Sequence, residues 1–237
     1  MRARRARDTW SAGPSTSPLC GTTANRLAER RHEQMSYPIR LLEWMSPKHA
    51  AHGLPVWTPG FRTEQRQLIY ARLAHALSLL KATAPGRYER VRHSLKGFLI
   101  LGTDSINADY DSRTGVCRLG ERFMLAPDTT AAAVACAVVH EATHGWLYKL
   151  GIPYDEPIRY RIELVCIKAA LLTAQRLPGA EAQVERCRRQ LLIDPGFFSN
   201  ESFTQRTADN LRALGWPRWL VRAFFWIRRK RAAKVAA

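Results

Sequence analysis

Residues Ala133–Leu150 read AVACAVVHEATHGWLYKL, and no other stretch of the chain restricts the fold so strongly. His140, Glu141 and His144 form H-E-x-x-H within it. On an α-helix, positions four apart lie on one face about one turn apart, so the two imidazoles aim at one point. Neutral imidazole nitrogens, a carboxylate and a last position left to water are the donor set of a catalytic Zn²⁺. Glu141, next to the first His, can reach that water and take its proton. From Ala133 to Leu147 the one carboxylate is Glu141, and there is no Lys or Arg. A Glu buried among apolar neighbours without a partner is costly. The stretch therefore predicts a metal site set in a core, rather than an apolar helix that carries two His and a Glu by chance.

On these residues the chain resembles the zincin metallopeptidases, and the spacing is similar to that of the gluzincin branch. The metzincin pattern does not apply, because the sixth position after His144 is Leu150. In gluzincins the third ligand is a Glu on the next helix, which the resemblance assigns to Glu163 in RYRIELVCIKAA, nineteen positions after His144. The thermolysin-like pattern also has an Asp four residues after that Glu, where this chain has Ile167. Asp155 is the rival third ligand: it lies eleven after His144, a spacing similar to the aspzincin branch. Read from the residues alone, Asp155 before Glu156 and Pro157 is a helix N-cap. Glu163, mid-helix between Ile162 and Leu164, needs either a metal or a cation such as Arg159 four positions earlier. The resemblance covers about Leu95 to Leu177.

A chain of 237 residues with 46% hydrophobic content can bury one sizeable core. The net charge of +17 is unevenly placed: no acidic residue follows Asp209, while eight Arg and Lys do. Cys20, Cys117, Cys136, Cys166 and Cys187 are odd in number and form no CxxC pair, which fits a reducing, cytoplasmic setting over a disulfide framework. Cys136 and Cys166, in apolar helical runs, read as small core residues. No apolar run reaches the length of a membrane span, and MRARRARDTW is not followed by the apolar stretch of a secretory signal.

Along the chain, residues 1–35 are Arg-, Ser- and Pro-rich and read as a disordered basic segment, with Met35 as an alternative start. Residues 36–215 form the expected domain. In it, 36–62 read as an irregular packed segment in which His49 and His52 belong to a solvated loop. Thr63 caps a helix to about Thr83, stopped by Pro85 and Gly86. Leu95–Leu101 reads as a strand, Asn107–Tyr110 and Gly115–Leu119 as a hairpin, and Phe123–Leu125 as a fourth short strand. Asp128 caps the motif helix, which ends at Leu150–Gly151. Helices over about 156–177, 180–192 and 203–214 follow. Residues 216–237 interleave Trp216, Trp219, Phe224, Phe225 and Trp226 with arginines, a basic amphipathic helix suited to the surface of an anionic membrane, such as the inner face of the cell membrane, or else docked on the core. No nucleic-acid motif is present.

The expected fold is α+β, a small antiparallel or mixed sheet packed on the active-site helix with further helices C-terminal. The resemblance implies one Zn²⁺ held by His140, His144 and Glu163, Glu141 as general base, and a peptide or protein as substrate. It also implies a sheet edge that holds the peptide extended beside the metal. Tyr148, Tyr154, Arg159 and Arg161 are candidate oxyanion donors. The alternative reading is a non-catalytic zinc protein that acts through its basic, aromatic tail.

Overall fold

The computed structural model describes residues 49–102, 107–213 and 215–236, with the backbone alone at 210, 213 and 228–236. The basic segment 1–35, the candidate start at Met35 and residues 36–48 of the segment expected to be irregular lie outside the described residues.

A five-stranded mixed sheet and eight α-helices make up the described chain, an α+β architecture. The strands are β1 (His49–Ala51), β2 (Leu54–Trp57), β3 (Gly97–Leu101), β4 (Ala108–Asp111) and β5 (Val116–Gly120). Their order is β1-β2-β3-β5-β4, with β2, β3 and β5 parallel and both edge strands antiparallel to their neighbours. Part of the segment expected to be irregular is thus a hairpin, turning through His52 and Gly53 at positive φ. His52 is held by Tyr88 and Ser78 at 3.1 Å each, and His49 stacks on Tyr70.

The helices are α1 (Thr63–Thr83), α2 (Pro85–Ser94), α3 (Glu121–Leu125), α4 (Ala131–Lys149), α5 (Glu156–Ala174), α6 (Glu181–Leu191), α7 (Asn200–Ala213) and α8 (Arg218–Ala236), with a 3-10 turn at Pro195–Phe198. Four expectations need correction. Thr63 is the first residue of α1 rather than its cap; the turn is closed by Gln65, whose side chain accepts from the Arg62 N–H at 3.0 Å. Pro85 does end α1, but it also opens α2, where its missing N–H costs nothing. Phe123–Leu125 lies in a helical turn, not a strand; three consecutive apolar residues carry no period that tells the two apart. The cap of α4 is Thr130, whose hydroxyl accepts from the Ala133 N–H at 3.1 Å, rather than Asp128.

The core forms on one face of the sheet. Phe98 pairs with Cys117 and Ile100 with Leu119, all fully buried, while Leu99 and Arg118 alternate to the other face. Helix α1 packs Ile69, Leu73, Leu77 and Leu80 into the same cluster as Val134, Val138, Val139 and Ala142 of α4. Helix α4 is therefore central, packed on α1, α2 and α5 and touching β4 and β5. Its Gly145 lets the chain close up: a Cβ there would stand 3.0 Å from both the Tyr110 ring and the Ser94 carbonyl. Strand β4 thereby lies directly against the motif helix as the last strand of the sheet.

Candidate metal centre

Two helices build the site. Helix α4 ends with Gly151 at φ +76°, a left-handed residue that suits glycine, and the chain then turns back so that α5 lies along α4. The His140 and His144 Nε2 atoms stand 3.2 Å apart, with ring centroids at 5.0 Å. Glu163 meets both: its Oε2 is 3.4 Å from His140 Nε2 and its Oε1 is 3.6 Å from His144 Nε2. Its side chain is 12% exposed, as is that of His144. Arg159, the alternative partner of Glu163, points away to the Phe198 carbonyl and Asn200 at 2.9 Å. Asp155 stands exposed at the start of α5, without a side-chain capping bond, and is not part of this group.

Cys166 joins the site, although its sequence context suggested only a core residue. The Cys166 thiol and the two imidazoles lie within 4.8 Å of one another, and the three form a group that could hold a metal ion. The sequence signal was present: Cys166 follows Glu163 by three positions, hence on the same helical face.

The charges are strongly coupled. Burial opposes protonation of His140, but the Glu141 and Glu163 carboxylates outweigh it and raise its pKa. Burial lowers His144 to about 4, with His140 acting in the same direction. His144 is thus neutral at ordinary pH, the state a ligand requires. Burial would raise Glu163, yet the two imidazoles and the Tyr154 hydroxyl hold it below the usual carboxylate range. Burial pushes the Cys166 thiol far up, with Glu163 and Glu141 adding to it.

Glu141 is 6% exposed, and burial raises its carboxyl to about 7; His140 and the main-chain N–H of Tyr110 pull the other way. Of the four expected oxyanion donors, Tyr154 is the one whose polar atom reaches this group. Its hydroxyl donates to Glu163 Oε1 and its ring sits edge-on to His144 at 5.3 Å. The Arg159 guanidinium, 5.2 Å from the ring centroid, supports it from the far side. Tyr148 instead neighbours Tyr110 at 6.4 Å, and Arg161 is exposed.

A cavity of about 220 Å³ opens beside His140, Glu141 and Glu163. It is lined by small residues of α4, Ala133 and Ala137, and by Phe197 and Phe198 of the 3-10 turn. It shares lining residues with a larger hollow of about 890 Å³ toward the start of α4. No helix among the described residues is long and apolar enough to cross a membrane. No protein-family model, curated protein or solved structure matches the chain.

Proposed function

We propose that this chain is a zinc-dependent hydrolase of peptide bonds, similar to the gluzincin metallopeptidases in its site. The observation that carries the reading is the convergence of His140, His144 and Glu163 beside a buried, separately placed Glu141. Zinc bonds of about 2.0–2.1 Å at tetrahedral angles separate neighbouring ligand atoms by roughly 3.3 Å. Here the two imidazole nitrogens stand 3.2 Å apart, and Glu163 places Oε2 3.4 Å from one and Oε1 3.6 Å from the other. This spacing is of the scale a zinc site needs, and it supports the donor set. When bound, zinc supplies Lewis acidity that acidifies water and polarises a carbonyl.

Glu163 is favoured over Cys166 as the third ligand. Each of its oxygens already faces one imidazole, whereas the Cys166 thiol sits in an apolar cluster with Leu147 and Ile162, where burial resists the thiolate a metal needs. Substitution of cobalt for zinc tests this choice. The Co²⁺ protein should lack a thiolate charge-transfer band, Cys166→Ala should keep the metal, and Glu163→Ala should lose it; the opposite pattern makes Cys166 the ligand.

The residues then act as follows. Glu141, raised toward neutrality by burial, takes the proton of the attacking water and delivers it to the leaving amine nitrogen. A general base of this kind contributes about 10²–10⁴-fold. The Tyr154 hydroxyl donates its one proton to Glu163 Oε1 and so steadies that carboxylate beside the imidazoles; it serves the oxyanion that develops on the carbonyl oxygen only by giving up that bond. The cavity beside Glu141 takes a side chain of the peptide.

A second activity rests on α8. Trp219 is 69% and Trp226 58% exposed, and Val221 is its one fully buried apolar residue among the described side chains. Exposed aromatics on a basic helix favour peripheral binding to an anionic membrane. A non-catalytic zinc protein that acts through this helix is the alternative, and hydrolysis of a peptide library by the zinc-loaded chain, lost in Glu141→Gln, decides between them.

A further inference from the structure

Helix α6 lines the cleft together with α4 and α5. It presents Gln183, Arg186 and Gln190 to the cavity beside the metal ligands, three polar side chains on one helical face. Arg186 also lines the larger hollow, so its guanidinium stands at the junction of the two. It is the one cation lining the inner cavity among the described residues, apart from His140.

The guanidinium has no carboxylate within ion-pairing distance among the described residues. With the Asn107 amide oxygen turned toward it, Nη2 and Nη1 donate to that oxygen at 2.8 and 3.2 Å. Two of five N–H donors are thereby used, and the fork is held in place by a neutral partner. Arg186 is exposed on the face of α6 that borders the cleft, so its remaining N–H donors stay accessible to a ligand. Oriented, uncompensated and facing a cleft, it suits a planar anion that accepts two hydrogen bonds.

Distance limits what that anion belongs to. From His140 back to Ala133, the cleft follows seven residues of α4, about 10 Å at 1.5 Å per residue. An extended peptide covers that length in about three residues. The outer hollow is lined by Glu121 and Asp128 as well as Arg122, and the inner end by Glu141 and Glu163, so the anion is best placed at Arg186 between these acids.

We propose that Arg186 anchors a carboxylate of the substrate, an acidic side chain or a free C-terminus within about three residues of the cleaved bond. This rests on the peptidase reading above, whose substrate class it narrows. The two sources share one chemistry and can be separated by amidation.

The experiment uses the zinc-loaded full chain carrying Glu141→Gln, so that binding is read without turnover. Hexapeptide pools with one position fixed as Glu, Gln or Lys, each with a free or amidated C-terminus, are measured by fluorescence polarisation. Glu pools should bind about tenfold tighter than Gln pools, the usual scale for a charge-assisted pair. Arg186→Gln should bring the two within about twofold, Arg186→Lys should retain part of the preference, and Arg186→Glu should turn it toward Lys. If the anchored group is instead the C-terminus, free-acid pools should bind about tenfold tighter than amidated pools whatever residue is fixed, and Arg186→Gln should erase that difference. Absence of both differences, or their persistence in Arg186→Gln, overturns the proposal. Cleavage of the same pools by the chain with Glu141 intact judges the peptidase reading separately. Arg186-dependent carboxylate binding without any cleavage would sink that reading alone, and cleavage indifferent to Arg186 would sink this inference alone.

Discussion

Helices α4 and α8 are each 19 residues long and both are rich in apolar side chains, yet they have opposite fates. Helix α4 buries twelve of its residues; α8 packs on α7 and leaves Trp219, Trp226 and Ile227 exposed. The difference lies in where charge falls. Helix α4 has only Glu141 and, at its last turn, Lys149, so every side can be covered by α1, α2, α5 and the sheet. Helix α8 carries Arg218 and Arg222 in its first two turns and five more basic residues beyond, and each would have to shed its water to be buried. Apolar content alone therefore does not decide burial. A fully covered helix can also hold a polar cluster in low dielectric, where its pKa values shift, whereas an exposed one cannot.

The comparison breaks most sharply at the metal. The purified chain should carry about one zinc, and His140→Ala or His144→Ala should each remove it, as measured by metal analysis. Unchanged zinc in both variants would end the reading. Removal of the tail should leave zinc content untouched.

Next comes Glu141→Gln, which keeps size but loses the base. Hydrolysis should fall by about 10²–10⁴-fold with zinc retained. Release of the metal would instead make Glu141 a ligand.

A smaller effect tests the close packing of α4 on β4. Gly145→Ala places a methyl 3.0 Å from the Tyr110 ring and the Ser94 carbonyl, and overpacking of this kind costs about 1–3 kcal/mol. Chemical denaturation measures it. A stabilised variant, as expected from the helix propensity of alanine alone, would mean that β4 yields easily.

The smallest change in stability should follow truncation after Gly215. Only Val221 is deeply buried among the described side chains of α8, so the loss should not exceed about 1.5–3 kcal/mol. Flotation with anionic vesicles, by contrast, should be abolished, and high salt should weaken it in the full chain. Equal flotation of both forms would remove α8 as the membrane contact.

Helices and the motif were legible in the sequence because their signals are local. The spacing of Leu73, Ala76, Leu77 and Leu80 predicts α1 over the bounds observed, and the β4–β5 hairpin follows from the turn residues between its strands. The β1–β2 hairpin was not legible: its strands are three and four residues long, and Pro55 interrupts the second. Such short strands are set by pairing to β3, a contact some forty residues away in the chain.

The sequence by itself determined that His140 and His144 share a helical face, with Glu141 one position on from the first, because a 3.6-residue turn leaves them no other arrangement. The fold then decided the rest. Only the antiparallel return of α5 brings Glu163 against both imidazoles and draws Cys166 to the same point. Only the packing of β4 aims the Tyr110 N–H at Glu141, and only the placement of α6 turns Arg186 into the cleft. These groups lie between 19 and 42 residues from the motif, on other elements, and no local periodicity records which distant side chain will face which. That was settled by how the apolar faces of α4, α5 and the sheet exclude water together, which carries their few polar groups into contact.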